Sequence, residues 1–208
     1  MDPLPDGFDA PVYTLGRCVR PFPGEARSGD ALFAQEHPGV LVVAAVDGVG
    51  HGRDAAGIAE EAVAWLGRSF AAEPLADLPA TLTRMHRRFR NGRGASLTLA
   101  RLDARSGAFE LVAVGNTVAR VVSPGRSRSF LSRDGNLGHF LPSPRLERGQ
   151  LEPGAMLLLY SDGVKSSFDF ESIPGRHTAS AQTVAQKIVK AFGKPHDDAC
   201  CLVLKRPR

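Results

Sequence analysis

The stretch of residues 40–52, which reads VLVVAAVDGVGHG, constrains the fold more than any other part of the chain. Seven apolar residues, four of them valine, run without interruption into Asp47 and a series of glycines. A short continuous apolar run bounded by turn residues is typical of a strand buried on both faces. Helical spacing follows over residues 53–70, so the stretch predicts a buried strand, a turn and a helix. Asp47 is then either the cap of a tight turn or a carboxylate held rigidly at the rim of a sheet.

Length and composition predict one domain without membrane association. The chain has 208 residues, of which 43% are hydrophobic and 23% charged, values that are ordinary for a globular protein with a sizeable core. No apolar run approaches the roughly 18–20 residues that cross a bilayer, and the acidic start lacks a signal-peptide pattern. We expect residues 1–10 to form a loose tail and residues 11–208 a single domain, with no sensor domain before it.

The cysteines predict a cytoplasmic location. There are three, at positions 18, 200 and 201. An odd number with two adjacent residues is a poor disulfide framework, which favours a reducing compartment. Cys200 and Cys201 fall in a predicted buried strand, where thiols are usually inert, so neither is a candidate nucleophile.

The chain has a net charge of +4, and its densest cluster of basic residues lies at the end of a predicted helix and in the loop after it. Its members are Arg84, Arg87, Arg88, Arg90 and Arg93. Three interpretations are open: a solvated helix face, a docking patch for an acidic or phosphorylated protein, and a nucleic-acid interface. Only Phe89 and His86 offer rings within the cluster, and no aromatic platform is interleaved with it. We therefore expect no nucleic acid as partner.

The remaining pattern predicts an α+β sandwich. Helices are predicted over 55–70, over 75–90 with an early interruption at Pro79, and over 180–192; strands are predicted over 11–19, 31–36, 95–102, 109–114, 118–122, 127–131, 155–160 and 199–204, and a loop over 133–149. Short gaps between the middle strands favour antiparallel hairpins. Because strands and helices do not alternate strictly, we expect helices to cover antiparallel sheets rather than a doubly wound parallel sheet.

Acidic residues recur at the ends of the predicted strands. They are Asp30 at a strand start, Asp47 and Asp162 after apolar strands, and Asp197 and Asp198 before the last strand. One Asp-Gly pair is more often a turn than a ligand, but four such sites in matching positions favour convergence at one rim. Converging carboxylates resist joint ionisation, and a divalent cation removes that cost. Oxygen ligands suit Mg²⁺ or Mn²⁺ rather than zinc.

Several segments together resemble the metal-dependent protein phosphatases (the PPM family), and more closely their SpoIIE branch. They are DGVGHG at 47–52, YSDGV at 160–164 and HDDACCLVL at 196–204, with SGD at 28–30, GASL at 94–97 and VGN at 114–116. The resemblance covers about residues 27–204. It implies an αββα sandwich of two antiparallel sheets flanked by helices, and a serine/threonine protein phosphatase with two Mn²⁺ or Mg²⁺ ions. Without an additional domain, the chain is similar to the stand-alone RsbX type.

The same resemblance implies a role for each acidic residue. Asp47 bridges the two metals, and the Gly48 carbonyl serves one of them. Asp162 and Asp197 hold the second metal, Asp198 follows the ligand position, and Asp30 is a ligand or orients water. A hydroxide that bridges the metals attacks the phosphorus of phosphoserine or phosphothreonine directly, without a covalent enzyme intermediate. The implied substrate is a phosphorylated bacterial regulatory protein of a stressosome or anti-sigma pathway, docking near the arginine cluster.

Two residues near the site have open roles. His51 is a candidate general acid for the leaving group, or it orders its loop through hydrogen bonds. Arg27 is near, but not at, the position from which relatives grip phosphate with an arginine. Two other classes of function stay open: a catalytically silent phosphatase-like binding module, and a basic nucleic-acid-binding domain. The presence of every implied acidic residue favours the enzyme over the silent module.

Overall fold

A computed structural model describes residues 13–130 and 132–208. The strands are β1 Thr14–Arg20, β2 Asp30–His37, β3 Val40–Gly48, β4 Ala95–Asp103, β5 Ala108–Val114, β6 Val118–Ser123, β7 Arg126–Phe130, β8 Glu147–Gln150, β9 Met156–Tyr160 and β10 Ala199–Lys205. The helices are α1 Gly52–Ala72, α2 Leu78–Arg88 and α3 Ala181–Phe192, with a short 3₁₀ turn at Phe170–Ser172. The predicted tail over 1–10, and residues 11, 12 and 131 of two predicted strands, lie outside the described residues.

Two five-stranded antiparallel sheets form the centre of the molecule. The first has the order β1-β10-β9-β6-β7, and the second has the order β2-β3-β4-β5-β8. Helix α3 packs on the outer face of the first sheet, and α1 and α2 pack on the outer face of the second. This confirms the predicted αββα sandwich. No helix in the described part of the chain is long and apolar enough to cross a membrane.

Strand β3 is buried on both faces, as its apolar run predicts. Successive side chains of a strand point to opposite faces. Val42 and Ala44 pack against α1 and α2, whereas Leu41 and Val43 pack in the layer between the two sheets. Because β3 contributes to two hydrophobic layers, Asp47, its last residue but one, is held at a fixed place at the end of the second sheet.

Two local predictions were wrong. Strand β8 lies in the region predicted as loop; it is a four-residue edge strand paired with β5, and its partly exposed ERGQ sequence has no apolar alternation. Pro79 does not interrupt a helix that has already begun. It lies in the first turn of α2, where Asp77 caps the helix by accepting from the Ala80 N–H at 2.7 Å. Proline in this turn lacks an N–H that the helix would leave unpaired anyway.

The burial of the cysteines gives a test of the fold. Cys200 and Cys201 are fully buried, and Cys18 is partly exposed. Burial raises the pKa of all three thiols, most strongly for the β10 pair. We expect native protein to react with iodoacetamide slowly at Cys18 and not at Cys200 or Cys201, with all three labelled in guanidinium chloride, as counted by intact mass. Rapid native labelling of β10 would contradict this packing.

Candidate metal centre

Asp30 and Asp47 face each other at one end of the second sheet. They are direct cross-strand partners of β2 and β3, and Ser96 of β4 lies opposite Asp47 on its other side. Asp30 is buried, and its Oδ2 accepts a short hydrogen bond from the Ser161 hydroxyl. Ser161 follows β9 of the first sheet, and its Oγ accepts from the Cys200 N–H at 3.1 Å. Asp30 is thereby fixed to both sheets.

The first sheet brings Asp162, Asp197 and Asp198 to the same end of the molecule. Asp162 follows β9 and accepts a hydrogen bond from the Asn116 amide at 2.7 Å. Asp198 Oδ1 accepts from the Phe22 N–H at 2.8 Å, while Asp198 Oδ2 is buried without a hydrogen-bond partner among the described residues. Gly163 permits this approach, because a Cβ there would lie 1.6 Å from the Asp198 carbonyl oxygen.

The glycine turn after Asp47 is tightly packed. The Gly48 N–H donates to the Gly29 carbonyl at 2.9 Å, and the Val49 N–H donates to the Gly94 carbonyl at 3.1 Å. A Cβ at Gly48 would lie 2.4 Å from the Ala55 carbonyl oxygen, in the first turns of α1. Any other residue at position 48 would push the helix away from the carboxylates. The Gly48 carbonyl as a metal ligand stays a prediction.

The carboxylates raise one another's pKa. Burial, followed by the charges of Asp162 and Asp197, raises the pKa of Asp47 to about 7, against a lowering hydrogen bond from Asn116. Burial and the nearby Asp47 raise the pKa of Asp30 well above its usual range. Burial and Asp162 also raise the pKa of Asp197. These carboxylates are therefore close enough for the charge of one to destabilise the charge of the next.

A cavity of about 310 Å³ opens between these groups. It is lined by Phe22, Asp47, Val49, Gly50, His51, Ser96, Asn116, Asp162, His196 and Asp197. Among the described residues, no group of three or more His, Cys, Asp or Glu side chains is arranged closely enough to hold a metal ion. The groups instead surround an open space with oxygen donors. This suits Mg²⁺ or Mn²⁺, because Mg²⁺ usually keeps several waters and takes one or two carboxylates.

The donor chemistry fits a divalent cation in a second respect. Asp198 has a buried side-chain oxygen with no partner in the described part of the chain, and a buried polar atom without a hydrogen bond is costly. Asp47 repels the charge of Asp30, and no lysine or arginine lines the cavity to compensate this repulsion. A cation would offset both costs. The residues present therefore fit the implied metal.

His51 lies on the rim of the cavity beside the connection from β1 to β2. Its ring stacks on Phe22 with centroids 4.6 Å apart, and its Nδ1 lies 3.4 Å from Glu25 Oε1. It precedes α1 without making a side-chain cap. His196 also lines the cavity, although the sequence motifs give it no role. The sequence feature that could have identified it is its position directly before Asp197.

Arg27 does not line the cavity. It pairs with Glu60 on the exposed face of α1. Three members of the arginine cluster are also paired: Arg84 with Glu73 at 3.9 Å, Arg88 with Glu61 at 2.7 Å and Arg93 with Asp54 at 2.7 Å. Arg87 and Arg90 are exposed, and neither has an ion pair within the described ranges.

Comparisons with solved structures assign the fold to the PP2C-type phosphatases. One chain, described under "The bacterial stressosome: a modular system that has been adapted to control secondary messenger signaling", is 28% identical with a TM-score of 0.82, covering 93% of this chain and 99% of that chain. RsbX in complex with magnesium is 19% identical, TM-score 0.77, covering 93% and 94%. The PP2C phosphatase domain of SpoIIE from Bacillus subtilis is 17% identical, TM-score 0.80, covering 93% and 62%.

The sequence gives the same assignment independently of the fold. The model of the family described as Stage II sporulation protein E (SpoIIE) matches residues 37–207. The chain belongs to the SpoIIE family, which confirms the resemblance found in its motifs. No curated protein sequence matches it.

Charge repulsion at the site predicts an unusual stability effect. In metal-free protein at pH 8, Asp47→Asn removes one repelling charge and keeps the side-chain shape. We expect its Tm to rise by about 2 to 4 °C for each kcal/mol of repulsion removed. Added Mn²⁺ should raise the Tm of the parent protein, because a ligand bound to the native state stabilises it, and should raise that of Asp47→Asn much less.

Differential scanning fluorimetry in EDTA and in MnCl₂ measures both effects. Asp134→Asn is the matched control, since Asp134 is an exposed Asp-Gly residue outside the cavity lining. A lower Tm of Asp47→Asn in EDTA, together with an undiminished Mn²⁺ shift, would refute the site.

Proposed function

We propose that this protein is a metal-dependent serine/threonine protein phosphatase that acts on a phosphorylated bacterial regulatory protein. The observation that carries the proposal is the convergence of the acidic strand ends of both sheets around one open cavity. Membership of the SpoIIE family supports it. The proposal includes a cytoplasmic location and a single catalytic domain over residues 11–208.

Two Mn²⁺ or Mg²⁺ ions are proposed as cofactors. The proposed ligands are Asp30, Asp47, Gly48 through its carbonyl, Asp162, Asp197 and Asp198. When bound, such ions supply Lewis acidity that lowers the pKa of a water toward about 7 and steadies an in-line displacement at phosphorus. That RsbX, a protein of the same fold, was solved with magnesium supports this choice.

The protein's own groups hold the reactants in place. The bond from Ser161 orients the Asp30 carboxyl group toward its cross-strand partner Asp47, where it can accept a hydrogen bond from a water. The Asn116 amide fixes Asp162 in the same way. Preorganised groups of this kind need little rearrangement during the reaction.

The substrate is proposed to be a phosphoprotein of a stressosome or anti-sigma pathway, and it is proposed to dock near the arginine cluster. The similarity to a chain described with the bacterial stressosome supports this. Arg87 and Arg90 are the cluster members best suited to docking, since both are exposed and neither is recorded in an ion pair among the described residues. Ion pairs at Arg84 and Arg88 reduce the positive charge that the cluster presents, which argues against a nucleic-acid interface.

The first test is metal-dependent hydrolysis. We expect p-nitrophenyl phosphate and phosphoserine peptides to be hydrolysed with Mn²⁺, and EDTA to abolish the activity. Asp47→Ala should lower kcat/KM by at least about 100-fold, because one removed stabilising group in such sites costs that much. Asp134→Ala, the matched Asp-Gly control, should retain parental activity. Inactivity with every divalent metal and phosphopeptide would leave a silent binding module as the better interpretation.

A second test separates the two roles of His51. Its contacts with Phe22 and Glu25 favour loop ordering. We therefore expect His51→Gln to lower kcat by a similar factor for a phosphoserine peptide and for p-nitrophenyl phosphate. A general acid matters only for the serine alkoxide, because p-nitrophenolate leaves without protonation. A loss of about 100-fold or more confined to the peptide would identify His51 as the acid.

A further inference from the structure

Arg93 lies beside the catalytic cavity, although it is distant from the aspartates in sequence. It comes two residues before β4, and its neighbour Gly94 accepts a hydrogen bond from the Val49 N–H. Its Nη1 lies 3.5 Å from the place that a Cβ on Gly50 would occupy. Gly50 and Val49 both line the cavity. The guanidinium group is therefore fixed at the rim of the site.

The guanidinium group is also held in one orientation. Its Nη2 donates to Asp54 Oδ2 at 2.7 Å in the first turn of α1, which leaves Nη1 on the side of Gly50. Both side chains of this pair are more than half exposed. Exposed ion pairs are weak, so Asp54 orients Arg93 without preventing it from binding a second anion. Nη1 and Nε have no recorded hydrogen bond to the described residues.

The lining of the cavity offers no lysine or arginine to the phosphate of a substrate. Its lining carries Asp47, Asp162 and Asp197 but neither lysine nor arginine. A phosphate monoester adds about −1.5 to −2 charges at neutral pH. Lys194 lies near the cavity, but it pairs with Asp197 at 3.8 Å. Arg27 lies away from the cavity, on the surface of α1, where it pairs with Glu60.

We infer that Arg93 binds anionic oxygens of the substrate at the rim, either those of the phosphate or those of a carboxylate next to the phosphoresidue. The inference rests on the proposed function and specifies its substrate as an acidic phosphoprotein segment. Guanidinium groups bind phosphate and carboxylate through two parallel charge-assisted hydrogen bonds. Arg93 thus supplies a positive charge at the rim of the cavity, a position that Arg27 does not occupy.

Steady-state kinetics of four variants test this role. Arg93→Gln should raise KM about 10- to 100-fold for a phosphoserine peptide flanked by glutamates, the loss expected for hydrogen bonds to a charged group, with a much smaller change in kcat. Arg93→Lys should recover part of the loss. Asp54→Asn should leave KM unchanged or lower it, since it releases the guanidinium group. Arg68→Gln, at an exposed arginine of α1 outside both the arginine cluster and the cavity lining, is the matched surface control and should behave as the parent protein.

Three substrates identify the anion. A raised KM for the glutamate-flanked peptide, an alanine-flanked peptide and p-nitrophenyl phosphate places Arg93 on the phosphate. A raised KM for the glutamate-flanked peptide alone places it on the flanking carboxylates. Equal losses in Arg93→Gln and Asp54→Asn would mean that the ion pair is only structural and would overturn the inference. Equal behaviour of Arg93→Gln and the control Arg68→Gln would overturn it as well.

Binding of a non-hydrolysable peptide separates this inference from the proposed function. The probe is the fluorescein-labelled glutamate-flanked peptide with a phosphonate in place of the phosphate ester, titrated by fluorescence anisotropy in Mg²⁺. Binding that depends on Arg93 in a protein without turnover would refute the phosphatase and support the inference. Turnover together with peptide binding that is unchanged in Arg93→Gln would support the phosphatase and refute the role of Arg93. A protein with neither turnover nor peptide binding would refute the phosphatase and the role of Arg93 alike.

Discussion

The hydrogen bond between Ser161 and Asp30 joins the two sheets at the edge where the carboxylates meet. It is buried, and the Cys200 N–H holds the Ser161 hydroxyl from the other side. Because Asp30 is the cross-strand partner of Asp47, a shift of one sheet against the other would move one set of carboxylates away from the second set. The geometry of the site therefore depends on the apolar layer between the sheets, which fixes their separation.

The site is electrostatically unfavourable without a cation, and the rest of the fold offsets that cost. Burial and neighbouring carboxylates oppose the ionisation of Asp47, and Asp198 keeps a buried oxygen without a partner among the described residues. The opposing stabilisation comes from three hydrophobic layers, two under the helices and one between the sheets. In the proposed function, the site loses stability and gains the capacity to bind metal, an exchange that is common at functional sites.

Sequence patterns predicted the parts of the structure that depend on local order. The apolar run before Asp47 predicted a strand buried on both faces, and the motif order predicted the sandwich. Strand β8 was missed because a half-exposed edge strand carries no apolar alternation. Phe22 and Ser161 received no role, since their contacts with His51, Asp198 and Asp30 span up to 176 positions of sequence and exist only after the sheets pack.

The two arginines near the site illustrate the same limit for function. Arg27 is a candidate for binding phosphate because it is close in sequence to Asp30, yet its side chain pairs with Glu60 on the exposed face of α1. Arg93 belongs to a cluster whose sequence indicates a surface patch, yet the pairing of β3 with β4 brings its neighbour Gly94 against the glycine turn after Asp47. Whether an arginine can bind an anion at the site depends on the position of its guanidinium group. That position follows from the pairing of the strands and cannot be inferred from the spacing of motifs. When the carboxylates of a site come from both sheets of a sandwich, any loop that ends at the same edge can contribute the positive charge that binds an anionic substrate.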